Sequence, residues 1–173
     1  MDLSIVFGGR DDNYGETFIQ RLEKALEYNI PLLDKSGLDY EIIAVDFNPI
    51  NQKYLYENES LSSFLKNKRV KNVIVDNTVI LEEDLCSTTY YEYFAKNAGI
   101  RVSTGDFIFV TNSDILLTQS LIDKIKEELK NEKNNLIAFD GGYTKSITAI
   151  QDANITTLLA AKILFFMGSG PIK

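Results

Sequence analysis

The chain has 173 residues, of which 45% are apolar and 25% charged, a balance that excludes a disordered or fibrous chain and fits one globular domain. It contains a single cysteine and no histidine, which excludes an internal disulfide, catalysis by Ser-His-Asp or Cys-His and zinc sites of the Cys/His type. The net charge is −7, and residues 1–60 hold 12 acidic and 5 basic side chains. We therefore expect no binding of nucleic acid, which needs a basic face.

Residues 1–7 lack the basic start and the apolar stretch of a signal peptide, and no run of 18 apolar residues follows them. We expect a cytoplasmic protein without a transmembrane segment, folded as a single domain of residues 1–173.

Short apolar runs alternate with longer segments of helical periodicity. Strands are predicted, in chain order, at residues 3–7, 40–45, 70–75, 107–110 and 136–139. Helices are predicted at residues 16–33, 51–66, 88–102 and 120–133. Pro31 is expected to kink or end the first helix. This alternation predicts an α/β fold, a three-layer sandwich in which helices flank a mostly parallel central sheet.

The segment that begins at Ile155 and ends at Met167 is apolar almost throughout, with Lys162 as its only charge. We expect this segment to pack on the sheet as a core helix. Two alternatives stay open for it: docking to a second copy of the chain in a homodimer, or contact with a membrane surface.

Polar residues follow the predicted strand at residues 107–110. Asn112 and Asp114 are two positions apart, so in extended chain both side chains point to the same side, with Ser113 between them. Their oxygens could then face one Mg²⁺ or Mn²⁺ ion, which typically takes one or two carboxylates and completes its shell with phosphate oxygens and water. The alternative is a polar turn that caps the next helix.

The loop after the first strand is a second candidate for ligand binding. Gly8 and Gly9 would let the main chain approach a flat ligand, and Arg10 and Asp12 add a polar cluster. The loop is neither a P-loop nor a GxGxxG fingerprint. Asp46, at the end of the second strand, could accept a hydrogen bond from a base N–H or a ribose hydroxyl, or could simply form the following turn.

The segment before the fourth strand adds further candidates. Gly99 and Gly105 would let the chain pass close to a ligand. Arg101 could meet a phosphate as a charged donor, or could be a solvated charge.

Residues 93–115 read YFAKNAGIRVSTGDFIFVTNSDI. This stretch resembles the pattern AKNxGIRxAxG-(E/D)-F-(I/V)-x-x-TNxDI of glycosyltransferases with the GT-A fold, in the family-2-like set of nucleotide-diphospho-sugar transferases. Residues 9–15, 20–22 and 45–49 resemble earlier motifs of the same group, so the resemblance covers roughly residues 3–122. It implies a nucleoside-diphosphate sugar as donor, Mn²⁺ or Mg²⁺ as cofactor, and a sugar, glycan or glycoprotein acceptor.

The same resemblance implies roles for single residues. Arg10 and Asp46 would hold the nucleoside, and Asn97 and Arg101 would lie near the ribose or the diphosphate. The metal motif of the fold is usually Asp-x-Asp, and here asparagine stands first, which leaves Asp114 as its one carboxylate. Relatives usually carry a further acceptor-binding portion, so we expect either a compact enzyme or the donor-binding domain of a longer protein.

The implied reaction is transfer of a sugar from a UDP- or GDP-sugar to a hydroxyl, with a metal on Asp114 and Asn112 neutralising the leaving diphosphate. An inverting enzyme needs a carboxylate base, for which Asp140 is the candidate and Asp152 the reserve, although Asp140 could instead be a turn residue. A retaining enzyme would not need this base. A nucleotidyltransferase and a nucleotide-sugar-binding module without turnover are the alternatives.

Overall fold

A computed structural model describes residues 1–12, 16–76 and 90–130 in full, together with the backbone of three short strands beyond them. The strands are β1 (Leu3–Gly9), β2 (Tyr40–Phe47), β3 (Val70–Val75), β4 (Phe107–Val110), β5 (Ala138–Phe139), β6 (Ile155–Thr156) and β7 (Ile163–Phe165). The helices are α1 (Phe18–Ser36), α2 (Glu59–Leu65), α3 (Glu92–Val102) and α4 (Gln119–Leu129). Two 3₁₀ turns, Ile50–Gln52 and Leu55–Glu57, lead from β2 to α2.

The described strands form one sheet in the order β3-β2-β1-β4-β7-β5-β6. Its pairs are parallel except for β5 with β6, which confirms the predicted mostly parallel sheet. The chain runs outward from β1 to β3 and then crosses back to β4, so the strand order reverses between β1 and β4. In open sheets of this kind, ligands bind at such a switch point, outside the carboxyl ends of the strands.

Helices cover both faces of the sheet, which confirms the predicted three layers. On one face, α1, α2 and α4 bury Leu22, Leu61 and Ile122 against side chains such as Phe109. On the other face, α3 packs Ala95 into a second apolar cluster. All residues of β1 and β2 are buried, as expected of parallel strands that helices cover on both sides.

Pro31 lies inside α1 and does not end it, in contrast to one of the two predicted outcomes. Pro31 itself is exposed, whereas Ile30 and Leu33 beside it are buried against the sheet. The proline removes one main-chain hydrogen bond, but burial of the flanking residues holds the helix together across this position.

The helix predicted at residues 51–66 forms only as α2 from Glu59, because two 3₁₀ turns occupy most of its predicted first half. Other predicted boundaries shift by a few residues, and one predicted element changes type. α3 begins at Glu92, four residues later than predicted. The segment expected to be a core helix contains β6 and β7 instead, so the prediction of a helix there is wrong at these two stretches. β-branched and aromatic residues dominate both stretches, and such residues favour strands over helices. Within the described ranges, no helix has the length and apolarity needed to cross a membrane.

Gly105 serves packing at the amino ends of the strands rather than close approach to a ligand. A Cβ at this position would lie 2.5 Å from the main-chain nitrogen of Ser4, and the Gly105 N–H donates to the Ser4 hydroxyl at 2.8 Å. The same hydroxyl donates to Glu41, which also accepts two hydrogen bonds from Thr104. This network fixes the start of β4 beside β1 and so sets where β4 ends.

Candidate functional site

The carboxyl ends of β1, β2 and β4 lie side by side and bring three of the predicted polar clusters to one edge of the sheet. The two glycines that end β1 allow neighbouring side chains to approach closely. A Cβ at Gly8 would lie 2.6 Å from the Tyr90 hydroxyl oxygen and 2.7 Å from Ala95 Cβ, and one at Gly9 would lie 2.7 Å from the Phe18 ring. Both glycines therefore let α1 and the start of α3 close over the end of β1.

Asp46 is the most deeply buried acidic group at this edge, with 4% of its surface exposed. Its Oδ2 accepts a hydrogen bond from the Leu55 N–H at 2.7 Å, and Oδ1 has no partner among the described residues. Burial raises the pKa of Asp46 to about 6; Asp11 acts in the same direction, and the Leu55 N–H and Arg10 oppose it. The side chain thus has one buried carboxylate oxygen that receives no hydrogen bond from the described residues.

Arg10 is buried next to the end of β1 and is held in one orientation. Its Nε and Nη2 donate to the Asp12 carboxylate at 2.9 and 2.7 Å. Its guanidinium carbon lies 5.9 Å from the centre of the Tyr90 ring, and Tyr90 in turn packs edge-on against Phe47. Burial is the main cause that raises the pKa of the Tyr90 hydroxyl, which therefore stays protonated near neutral pH. These contacts place a cation beside Asp46.

The two predicted metal ligands form hydrogen bonds with cationic side chains that come from different helices. Asn112 Oδ1 accepts from the Lys96 ammonium on α3 at 2.9 Å. Asp114 Oδ2 accepts from Arg21 Nε on α1 at 2.9 Å, and α1 and α3 cover opposite faces of the sheet. In the fully described ranges, no group of three or more acidic or cysteine side chains could hold a metal ion. Each of the two predicted metal ligands thus already has a cationic side chain as its partner, and the requirement for Mn²⁺ or Mg²⁺ stays a prediction.

The loop after β4 is fixed to α1 by the side chain of Asn29. Its amide nitrogen donates to the Ile115 carbonyl at 2.8 Å, and its amide oxygen accepts from the Leu117 N–H at 2.8 Å. A cavity of about 20 Å³ lies beneath the loop, lined in part by Ser113 and by Thr111. The Thr111 hydroxyl is buried and has no partner among the described residues.

The remaining predicted residues are not brought into this cluster. Asn97 and Arg101 are exposed on α3, and Arg101 lies in its last turn. That turn continues to Thr104, which bonds Glu41 near the amino ends of the strands. Asp140 and the reserve base Asp152 lie outside the described residues.

Four residues of the site escape prediction from the sequence: Arg21, Asn29, Tyr90 and Lys96. Each of them contacts a partner that is distant in the chain, and the spacing of apolar residues does not predict such contacts. A signal was available for two of them: Lys96 lies within the AKN stretch of the family-like pattern, and Arg21 lies within residues 20–22, which resemble an earlier motif of the same group.

Asp114→Asn should change the free energy of unfolding by less than about 1 kcal/mol, because the pair with Arg21 is one-third exposed and such pairs contribute little. Urea denaturation of this variant, beside Asp123→Asn on the exposed side of α4, measures the difference. A loss well above 2 kcal/mol, absent from the control, would identify Asp114 as a structural anchor. Nucleotide binding by the folded variant then tests its predicted role as a ligand.

No family model matches the chain. The chain is similar to the protein translocase subunit SecD of Acidaminococcus fermentans, with 38% identity over 76 residues, which are 44% of this chain and 16% of that protein. SecD of Magnetococcus marinus is 47% identical over 53 residues, 31% of this chain and 10% of that protein. The chain therefore matches only a small share of the length of these relatives.

The structure is similar to that of S. aureus TarS 1–349, a glycosyltransferase, with a TM-score of 0.52 and 14% sequence identity. The similarity covers 88% of this chain and 40% of the TarS chain. It shows an α/β fold like that of a glycosyltransferase, with a parallel sheet flanked by helices.

Proposed function

We propose that the chain binds a nucleoside-diphosphate sugar and transfers its sugar to a hydroxyl group of a sugar, glycan or glycoprotein. The observation that carries this proposal is that Oδ1 of buried Asp46, at the carboxyl edge of the sheet, accepts no hydrogen bond within the described part of the chain. A buried acceptor without a donor costs about 1–3 kcal/mol, and a ligand that supplies the donor recovers this free energy. The fold shared with TarS supports the same assignment. The SecD similarity spans too little of either protein to support a proposal.

The free oxygen of Asp46 suits a nucleobase that presents one N–H. Because Oδ2 is already bonded to the Leu55 N–H, the carboxylate has one oxygen left. Uracil offers a single ring N–H between two carbonyl groups, whereas guanine offers two adjacent donors. We therefore propose a UDP-sugar as the first donor to test. Arg10, oriented by Asp12, would donate to a carbonyl oxygen of the base or to a ribose oxygen.

In the proposed transfer, the bond between the sugar's anomeric carbon and the diphosphate oxygen breaks, and its electron pair leaves with the diphosphate. The acceptor oxygen forms the new bond to the anomeric carbon and loses its proton to a base. The transition state resembles an oxocarbenium ion, as in glycoside hydrolysis. Asp140 stays the predicted base for an inverting reaction.

Calorimetric titration of the full chain with UDP and with GDP, each in EDTA and in Mn²⁺, tests the donor site. We expect binding of UDP in preference to GDP. Incubation with UDP-sugars should then release free sugar slowly when no acceptor is present. Binding without any release or transfer would support a nucleotide-sugar-binding module, and binding of neither nucleotide would overturn the proposal.

A further inference from the structure

We infer that Lys96 supplies the positive charge that binds the donor's diphosphate, so that nucleotide binding needs no divalent cation. The inference rests on the proposed function, because it concerns the same donor site. In this inference the Lys96 ammonium, which already contacts Asn112, takes the role that was predicted for a metal ion shared by Asn112 and Asp114.

The position of Lys96 is the first support. Its side chain is 9% exposed, and its neighbour Ala95 packs against Gly8 at the end of β1. Its ammonium reaches across to Asn112 at the end of β4. The charge therefore lies at the carboxyl ends of β1 and β4, at the switch point where a ligand of this type of sheet binds.

The hydrogen bonds of the ammonium are the second support. An ammonium has three N–H donors, and among the described residues Lys96 uses two, one to Asn112 and one to Glu92. One donor is left for a phosphate oxygen. A divalent cation on Asn112 Oδ1 would lie beside this ammonium, and the like charges would repel each other.

Glu92 provides the balancing charge in the unliganded site. It pairs with Lys96 one turn away on α3, and 44% of its side chain is exposed. An exposed carboxylate can turn to solvent when a diphosphate takes its place beside the buried ammonium. Glu92 thus competes with the phosphate, and its removal should strengthen nucleotide binding, which a purely structural ion pair would not do.

Calorimetry of UDP binding by the full chain tests the inference. In EDTA, Lys96→Met should weaken binding by about 10–100-fold, the range of a hydrogen bond to a charged group, and Lys96→Arg should keep most of the affinity. Glu92→Gln should tighten binding about threefold or more, because the variant removes the half-exposed carboxylate that competes with the phosphate for the Lys96 ammonium. Lys124→Met, which removes an ammonium paired with Glu128 on α4, should leave binding unchanged.

Two outcomes separate this inference from the proposed function. If UDP binds only with Mn²⁺, or if Glu92→Gln leaves its affinity unchanged in EDTA, the role of Lys96 is overturned and the donor site stands. If the wild-type chain binds neither UDP nor GDP in either buffer, the proposed function itself fails. Because Lys96→Met removes a buried charge and could unfold the chain, Glu92→Gln decides the matter independently.

Discussion

Asp46→Asn should weaken nucleotide binding by at least about tenfold, the lower end of the effect of a lost hydrogen bond to a charged group. The reason is that an amide carries only one acceptor. If the asparagine oxygen accepts from the Leu55 N–H, the asparagine NH₂ group lies against the N–H of the base, and two donors meet. If the amide is rotated by 180°, the NH₂ group meets the Leu55 N–H instead. A carboxylate accepts on both sides, so one of the two contacts is lost in the variant.

The same substitution should make the folded state more stable at neutral pH. The pKa of Asp46 rises from its ordinary value of 3.8 to about 6 on folding. Between these values the folded chain keeps a proton that the unfolded chain releases, so stability falls as the pH rises from 4 to 6. Above pH 6 the free energy of unfolding has fallen by about 3 kcal/mol, and an uncharged asparagine avoids this loss.

Urea denaturation of wild type and Asp46→Asn between pH 4.5 and 8 measures the stability difference, which should shrink as the pH falls. Titration with a UDP-sugar, whose diphosphate has no group that titrates near pH 6, measures the affinity. Wild-type affinity should fall as the pH drops through about 6, where Asp46 gains its proton. Unchanged affinity in the variant would remove Asp46 from the binding site, whatever its effect on stability.

Gly99→Ala should destabilise the fold by about 2 kcal/mol or more, although the same change on an exposed helix stabilises by about 1 kcal/mol. Gly99 lies in α3 against the sheet, where a Cβ would be 2.3 Å from Val6 Cγ1 and 3.0 Å from Val45 Cγ2. Both neighbours are buried β-branched side chains on adjacent central strands, so neither has space into which to move. The helix must shift outward instead, and Lys96 would move with it.

Thermal and urea unfolding of Gly99→Ala, with Gly37→Ala as the control, test this packing. At Gly37, φ is +76° and no atom lies within 4 Å of an added Cβ, so the control reports backbone strain alone. We expect the larger loss at Gly99. A gain in stability at Gly99 would show that α3 does not press on Val6 as described.

The sequence predicts the central part of the fold well, because that part depends on local patterns. Every residue of β1 is buried, and its sequence is apolar apart from Ser4, a pattern typical of a buried parallel strand whatever its neighbours are. The extent of α1 could not be predicted in the same way, since the burial of Ile30 and Leu33 outweighs the local effect of Pro31. The residue types of β6 and β7 favour strands, but which strands they pair with is not revealed by any local pattern.

The candidate site shows the same limit more strongly. The prediction that Asp46 belongs to a ligand site follows from its place after a predicted strand. That only one of its oxygens is free does not, because this depends on the Leu55 N–H in a 3₁₀ turn nine residues later. Asn112 and Asp114 share a side in extended chain, but their partners Lys96 and Arg21 come from helices on opposite faces. Side-chain pairing across layers decides the electrostatics of the site, and it is not local.

The central position of β1 also affects how the chain is made. Leu3 pairs with Tyr40 on one side and with Phe107 on the other. During synthesis, β1 can join β2 as soon as β2 has emerged. Its second edge stays unpaired until β4 follows, although every residue of the strand is destined for the interior. An open edge on so apolar a strand readily recruits strands from other chains. The nascent chain therefore passes through a period of exposure to aggregation that ends only when β4 closes the middle of the sheet.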